Sequence, residues 1–108
     1  MTGPAGKQAT RNFLVDSGAS YTLLPRKTWR AIGLKAIDSV KCFLANGTEV
    51  ERKVSECRIT LPHGSRYTPV MLGEKDDAAL LGAVTLEILG LVLNPYTREL
   101  KPMKMMLA

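Results

Sequence analysis

Phe13-Leu14-Val15-Asp16-Ser17-Gly18-Ala19-Ser20 is the stretch on which the fold turns. Three apolar residues run like a buried strand and then break on an acid, a hydroxyl and two of the smallest residues. Burying an ionised carboxylate without partners costs several kcal/mol. Asp16 is therefore either hydrogen-bonded by the backbone around it or kept for chemistry. Asp-Ser-Gly is also an ordinary turn-forming word, and on these residues alone both readings stand. The functional one is favoured by context: the strand sets the acid at a core edge, Gly18 allows close approach, and the Ser17 hydroxyl can brace a neighbour.

The 108 residues fit one domain with a modest core. Hydrophobic residues make up 45% and charged residues 23%, the balance of an ordinary globular domain. No apolar run approaches the roughly 18 residues of a membrane-spanning helix, and MTGPAGKQATRN lacks the apolar segment of a signal peptide. The expectation is a cytoplasmic chain with no membrane partner, a flanking anchor in a longer precursor being left open. Cys42 and Cys57 form no disulfide framework and suit a reducing compartment. The net charge of +5 is scattered, with no basic run and no interleaved aromatics, so it reads as a solvated surface rather than a nucleic-acid site.

Punctuation along the chain predicts an all-β domain. Residues 1–9, with Gly3-Pro4 and Gly6, read as an N-terminal arm or partial strand. Residues 10–15 form a strand feeding Asp16. Pro25 to Ile32 form a short helix, with Pro in the first turn and Gly33 as the stop. Val40 to Leu44 and Thr48 to Val54 are strands joined at Asn46-Gly47, a pair that tolerates positive φ. Arg58 to Leu61 and Tyr67 to Leu72 are strands joined by a turn at Pro62 to Ser65. Glu74 to Asp77 form a polar loop, Ala78 to Leu81 a strand, Val84 to Leu89 a helical turn or two, and Leu91 to Leu93 a buried strand. Asn94-Pro95 turns the chain, Glu99 begins the final segment, and residues 103–108 form a tail with Met103, Met105 and Met106. A weak internal echo runs through this order. The word strand, glycine turn, helix, Gly-Leu occurs first around Asp16 and again from Ala79, where no acid is present.

Chemistries other than carboxylate chemistry are poorly supplied. His63 is the only histidine and falls in a turn. Cys42, Cys57 and His63 have no zinc-site spacing, and no phosphate-cradling GxxxxGK or GxGxxG is present. Asp76 and Asp77 sit in a polar loop. No metal or other cofactor is expected.

Together these features resemble the retropepsin-like aspartic proteases, the retroviral enzymes and their cellular and bacterial relatives. Leu14 to Ala19 match the family's active-site triplet and its strand. Leu80-Leu81-Gly82-Ala83 and Leu86 to Gly90 match its second signature, and Phe43 to Val50 stand where the family keeps its flap hairpin. The resemblance covers residues 10–102. It implies an all-β, closed β-barrel-like half-fold with two short helices and a flap, paired as a two-fold symmetric homodimer. Asp16 would then be the catalytic residue, facing Asp16 of a second copy, and the dyad would share one proton. Ser17 would lock the two loops together across the dimer, while Gly18 and Ala19 would let a peptide backbone lie over the dyad. Ala45, Asn46, Gly47 and Thr48 would be the flap tip that closes on substrate, and Leu80, Leu81 and Gly82 the supporting signature. The partners implied are a second copy and a peptide or protein substrate.

The chain departs from that pattern in two places. Only about a dozen residues, several of them turn formers, precede the active strand, and the flap carries one glycine, Gly47, where viral relatives have several. Two other readings stay open: a dimerisation or peptide-binding module of the same fold with little turnover, and a small basic nucleic-acid-binding barrel. On the enzyme reading, Ala19 lacks the hydroxyl that could stabilise an ionised dyad. The expected pH optimum is therefore about 4.5–6.5, above that of pepsin-type enzymes. A pH–rate profile checks this, and a peak below about 3 or a rate still rising at about 8 contradicts it.

Overall fold

The computed structural model describes residues 1–103. The segments are β1 (Leu14–Val15), β2 (Thr22–Leu24), α1 (Arg26–Ala31), β3 (Asp38–Phe43), β4 (Glu49–Leu61), β5 (Gly64–Leu72), β6 (Leu80–Leu81), α2 (Ala83–Ile88), β7 (Leu91–Leu93) and β8 (Leu100–Pro102). The fold is mostly β with two short helices. Among the described residues no helix is long and apolar enough to cross a membrane.

Six strands form one sheet in the order β1-β6-β2-β5-β4-β3, and β7 and β8 pair separately. The sheet is open, which corrects the expected closed barrel. β1 has only two residues, and β3 pairs solely with β4, so no ladder joins the two edges. The topology turns on β6, which enters between the successive strands β1 and β2. It runs parallel to β1, with Leu14 opposite Leu80 and Val15 opposite Leu81, and antiparallel to β2. The sequence echo has its counterpart here, since the two Leu-containing words lie side by side in register. Each copy's helix ends at a glycine with positive φ, Gly33 at 75° and Gly90 at 68°, followed by buried Leu34 and Leu91.

Local signals set the turns. Leu44 and Thr48 close the β3–β4 hairpin, with Gly47 at φ 83°. Pro62-His63 make a two-residue turn between Leu61 and Gly64. Pro25 stands one position ahead of its expected place: it caps α1 with extended backbone, and its carbonyl accepts from the N–H groups of Thr28 and Trp29.

Three strand readings change. Residues 10–13 are not in a strand; only Leu14 and Val15 are, because β6 offers two residues to pair with. The two strands expected at 48–54 and 58–61 are a single 13-residue strand, β4. The final segment from Glu99 contributes β8 rather than a free tail, and the Met103 N–H donates to the Gly90 carbonyl at 2.7 Å. Met105 and Met106 lie outside the described residues. At the other end, Thr2 exchanges backbone hydrogen bonds with Arg58 at 2.8 and 3.0 Å, which lays the N-terminal arm along the edge of β4.

The core gathers Leu24, Ile32, Ile59, Val70 and Leu81, each under 2% exposed. Embedded beside them is a polar knot. The Thr85 hydroxyl lies 2.6 Å from that of Thr22 and 2.8 Å from that of Thr68, and the Gly82 N–H donates to Thr22 Oγ1 at 3.0 Å. Buried hydroxyls are stable only when partnered, and this knot joins β2, β5 and the β6–α2 junction. Thr85→Val removes the shared partner at nearly constant volume, so it should cost about 1–3 kcal/mol. Urea denaturation measures this, and the exposed Thr60→Val should change stability by less than about 0.5 kcal/mol.

Candidate active site

Asp16 stands where β1 leaves the sheet, and its loop is held by backbone on every side. Its N–H donates to the Leu81 carbonyl at 2.9 Å, which continues the β1–β6 ladder by one rung. Its own carbonyl accepts from the Ala19 N–H at 3.1 Å, and its Oδ1 accepts from the Gly18 N–H at 3.0 Å. The chain therefore wraps the carboxylate in a tight turn. A side chain at position 18 would begin 3.2 Å from Asp16 Oδ1 and so would crowd the carboxylate. Asp16 is half-buried, while Ser17 and Gly18 are exposed. The carboxylate is thus fixed but lies at a surface.

The second glycine signature fixes this loop from the other side. The N–H groups of Ala83 and Val84, at the start of α2, donate to the carbonyls of Ala19 at 2.7 Å and Ser20 at 3.0 Å. A Cβ at Gly82 would lie 2.5 Å from the Tyr21 carbonyl carbon and oxygen. Only glycine lets β6 and α2 approach the active loop this closely. Leu80 and Leu81 thus flank β1 and Gly82 contacts the loop, all three around Asp16.

Beside the loop lies a cleft of about 530 Å³. Its floor includes Leu23, Met71 and Leu80, its wall Gly18 to Tyr21, and its roof the β3–β4 hairpin through Val40, Cys42, Phe43, Leu44 and Val50. Of the residues singled out in the sequence, Gly18, Ala19 and Leu80 line it. Ala45, Asn46, Gly47 and Thr48 do form the hairpin tip, held by an Asn46 Oδ1 bond from the Thr48 N–H at 2.9 Å. They are exposed, however, and it is the stem below them that covers the cleft. Tyr21, Met71, Arg52 and Asp77 were missed as cleft residues. Tyr21 adjoins the triplet and could have been included on position alone; Met71 belongs to a distant strand and carried no local signal.

The other groups considered in the sequence are placed elsewhere. His63 is exposed in its turn. Cys57 is buried in the core, and burial pushes its thiol up to about 11. Among the described residues no cluster of three or more His, Cys, Asp or Glu side chains could hold a metal ion. A second cavity of about 300 Å³ lies under the N-terminal arm beside Phe13 and Ile59, and no carboxylate, thiol or imidazole lines it.

A family model described as aspartyl protease matches residues 4–85. The match spans the Asp16 loop, the β3–β4 hairpin, Leu80 to Gly82 and the first residues of α2. A search of the curated proteins finds no match to the chain.

The two thiols should separate chemically, because the thiolate is the reactive form and burial suppresses it. In the native protein near neutral pH, iodoacetamide should modify Cys42 in the cleft and leave Cys57 untouched; after denaturation both should react. Peptide mapping by mass spectrometry reads the difference, and native labelling of Cys57 would contradict the core assignment.

Proposed function

The chain belongs to the aspartyl protease family, and from that premise we propose that it is an aspartic endopeptidase of the retropepsin kind, working as a homodimer. The observation that carries the reading is the setting of Asp16: a carboxylate held by the Gly18 N–H in a backbone-bonded loop, whose next residues, Gly18 and Ala19, line a largely apolar cleft roofed by a hairpin. The sequence holds one Asp-Ser-Gly, so the partner carboxylate of the dyad is Asp16 of a second copy.

In this reading one carboxylate of the pair is ionised and the other protonated, since two so close resist ionising together. The ionised group takes a proton from a water held between them, and that water attacks the scissile carbonyl. The protonated group donates to the carbonyl oxygen as the tetrahedral intermediate forms. Proton transfer to the amine then lets the C–N bond break. Ser17, exposed beside Asp16, bonds across the dimer to hold the two loops in register. Gly18 and Ala19 leave room for the peptide backbone. The tip at Ala45 to Thr48 closes over the substrate and excludes bulk water. Phe43 in the stem, 73% exposed, gains cover when that happens.

Incubation with a mixed peptide library across about pH 3–8 tests the proposal. Wild type should cleave, and Asp16→Asn should be slower by at least about a hundredfold. Specific activity should fall on dilution as dimers part. Absence of cleavage by a chain shown to be dimeric would replace the enzyme with a peptide-binding module of the same fold, and equal cleavage by both forms would reveal a contaminant.

A further inference from the structure

Three charged side chains, Lys41, Arg52 and Asp77, line the otherwise largely apolar cleft, and one of them sits within a strand row of valines. Along the first half of β4 the residues on one face alternate as Val50, Arg52 and Val54, of which Val50 and Arg52 line the cleft; their partners on β3 are Cys42, Val40 and Asp38, and Val54 also faces Met71 on β5. An arginine in the middle of that apolar row is an expensive choice for a strand face that covers a cleft. Its side chain is only 29% exposed, and it is held in place. Nη1 donates to Glu74 Oε1 at 3.2 Å, while the other oxygen of Glu74 takes Arg26 at 2.6 Å. One carboxylate is thus shared between two guanidinium groups, and most of the Arg52 N–H donors have no acceptor among the described residues.

Asp77 lines the same cleft and also touches Glu74, accepting its backbone N–H through Oδ2 at 2.6 Å. Its other carboxylate oxygen accepts no hydrogen bond among the described residues. Arg52 and Asp77 thus meet the same residue, Glu74, one at its carboxylate and the other at its backbone N–H. Both line the cleft, which so carries a spare cationic donor and a spare anionic acceptor. Lys41, the remaining charged residue at the cleft, is 75% exposed and paired with Glu49 at 3.7 Å.

We propose that the part of the cleft lined by Arg52 and Asp77 is a subsite selecting a peptide side chain that ends in a carboxamide, glutamine or asparagine. The inference rests on the reading that the cleft receives a peptide. A carboxamide offers an acceptor for the guanidinium and a donor for the carboxylate on two adjacent atoms at no net charge, whereas a hydroxyl must serve both from one oxygen and a neutral imidazole from opposite sides of its ring. A leucine would strip water from both groups and replace nothing. A glutamate satisfies Arg52 but is repelled by Asp77, and a lysine meets the opposite conflict. Discrimination built on polar satisfaction of this kind is stronger than that of an apolar pocket.

The test is retention of a positional-scanning peptide library carrying Gln, Asn, Leu, Glu or Lys at each position by the Asp16→Asn chain, which binds without turning over. At one position Gln or Asn should be enriched about tenfold over the other three. Adding Arg52→Leu should shift that position toward Lys, and adding Asp77→Asn should shift it toward Glu. Two opposite shifts cannot both come from loosened folding, and asparagine at 77 can still accept the Glu74 N–H. A library retained without amide preference, a preference that neither substitution moves, or no retention at all overturns the subsite. Cleavage of the same library by wild type is scored separately. Selective retention without cleavage would overturn the protease reading alone, and cleavage without an amide-selective position would overturn the subsite alone.

Discussion

The structure depends on a strand of two leucines reaching a place that only a glycine can leave. β6 enters between β1 and β2, and the chain must then turn into α2 directly against the Ser20-Tyr21 backbone. At Gly82 there is no room for a Cβ, with backbone atoms 2.5 Å from where it would stand. The tight approach is what brings the Leu81 carbonyl to the Asp16 N–H and the first N–H groups of α2 to Ala19 and Ser20. The threonine knot secures the same junction from beneath, since Thr22 Oγ1 accepts the Gly82 N–H and Thr85 links it to Thr68. A buried hydroxyl network of this kind is stable only when every member is satisfied, and no buried side-chain polar atom among the described residues lacks a partner. The position of the carboxylate is thus a consequence of packing beneath and behind it.

The second organising feature is a change of phase within β4. From Glu49 to Val54 the half-buried and buried residues are Val50, Arg52 and Val54; from Ser55 onward they are Ser55, Cys57, Ile59 and, in part, Leu61. Because successive side chains in a strand point to opposite faces, the first half shields the cleft face and the second half builds the core face. The partners change at the same point: β3 pairs as far as Val54, and β5 begins there. One strand therefore serves two layers. The alternation in β2, β5 and β6 obeys the same division, with Leu23, Met71 and Leu80 toward the cleft and Leu24, Val70, Leu72 and Leu81 toward the core.

This division explains what could be read from the sequence and what could not. Turns announce themselves locally, so Asn46-Gly47, Pro62-His63 and the glycines after both helices were legible, and so was the Asp-Ser-Gly loop with its distant Leu-Leu-Gly companion. β4 was read as two strands because its apolar phase breaks at Val54-Ser55, and a break of phase looks like a break of structure. The closed barrel came with the family resemblance, and the strand order along the chain could not correct it, because it does not say which edges meet; closure fails on the length of β1 and the pairing of β3. The threonine knot and the cleft floor at Met71 join residues far apart in the chain. Arg52 looked like one more surface charge because, in a row of Glu, Arg and Lys, only the pairing register reveals which side chain faces inward.

Rigidity is distributed in the manner a peptide-cleaving site requires. The Asp16 loop is bonded to β6, to α2 and to itself, so its carboxylate is positioned before any ligand arrives. Among the described residues, the β3–β4 hairpin on the tip side of Val54 is bonded only to itself by backbone, and its tip is exposed. Arg52 carries the ion pair that links this hairpin to the loop at Glu74, just before the point where β4 joins the main sheet. Opening free energies are lowest where backbone pairing is local and burial is slight, which puts the compliant part of the molecule in the roof. On the proposed reading, a fixed acid below and a yielding cover above would let peptides of different bulk meet the same chemistry. Selectivity would then come from the residues at the base of the roof, where the strand is already held and a charge can be kept in place.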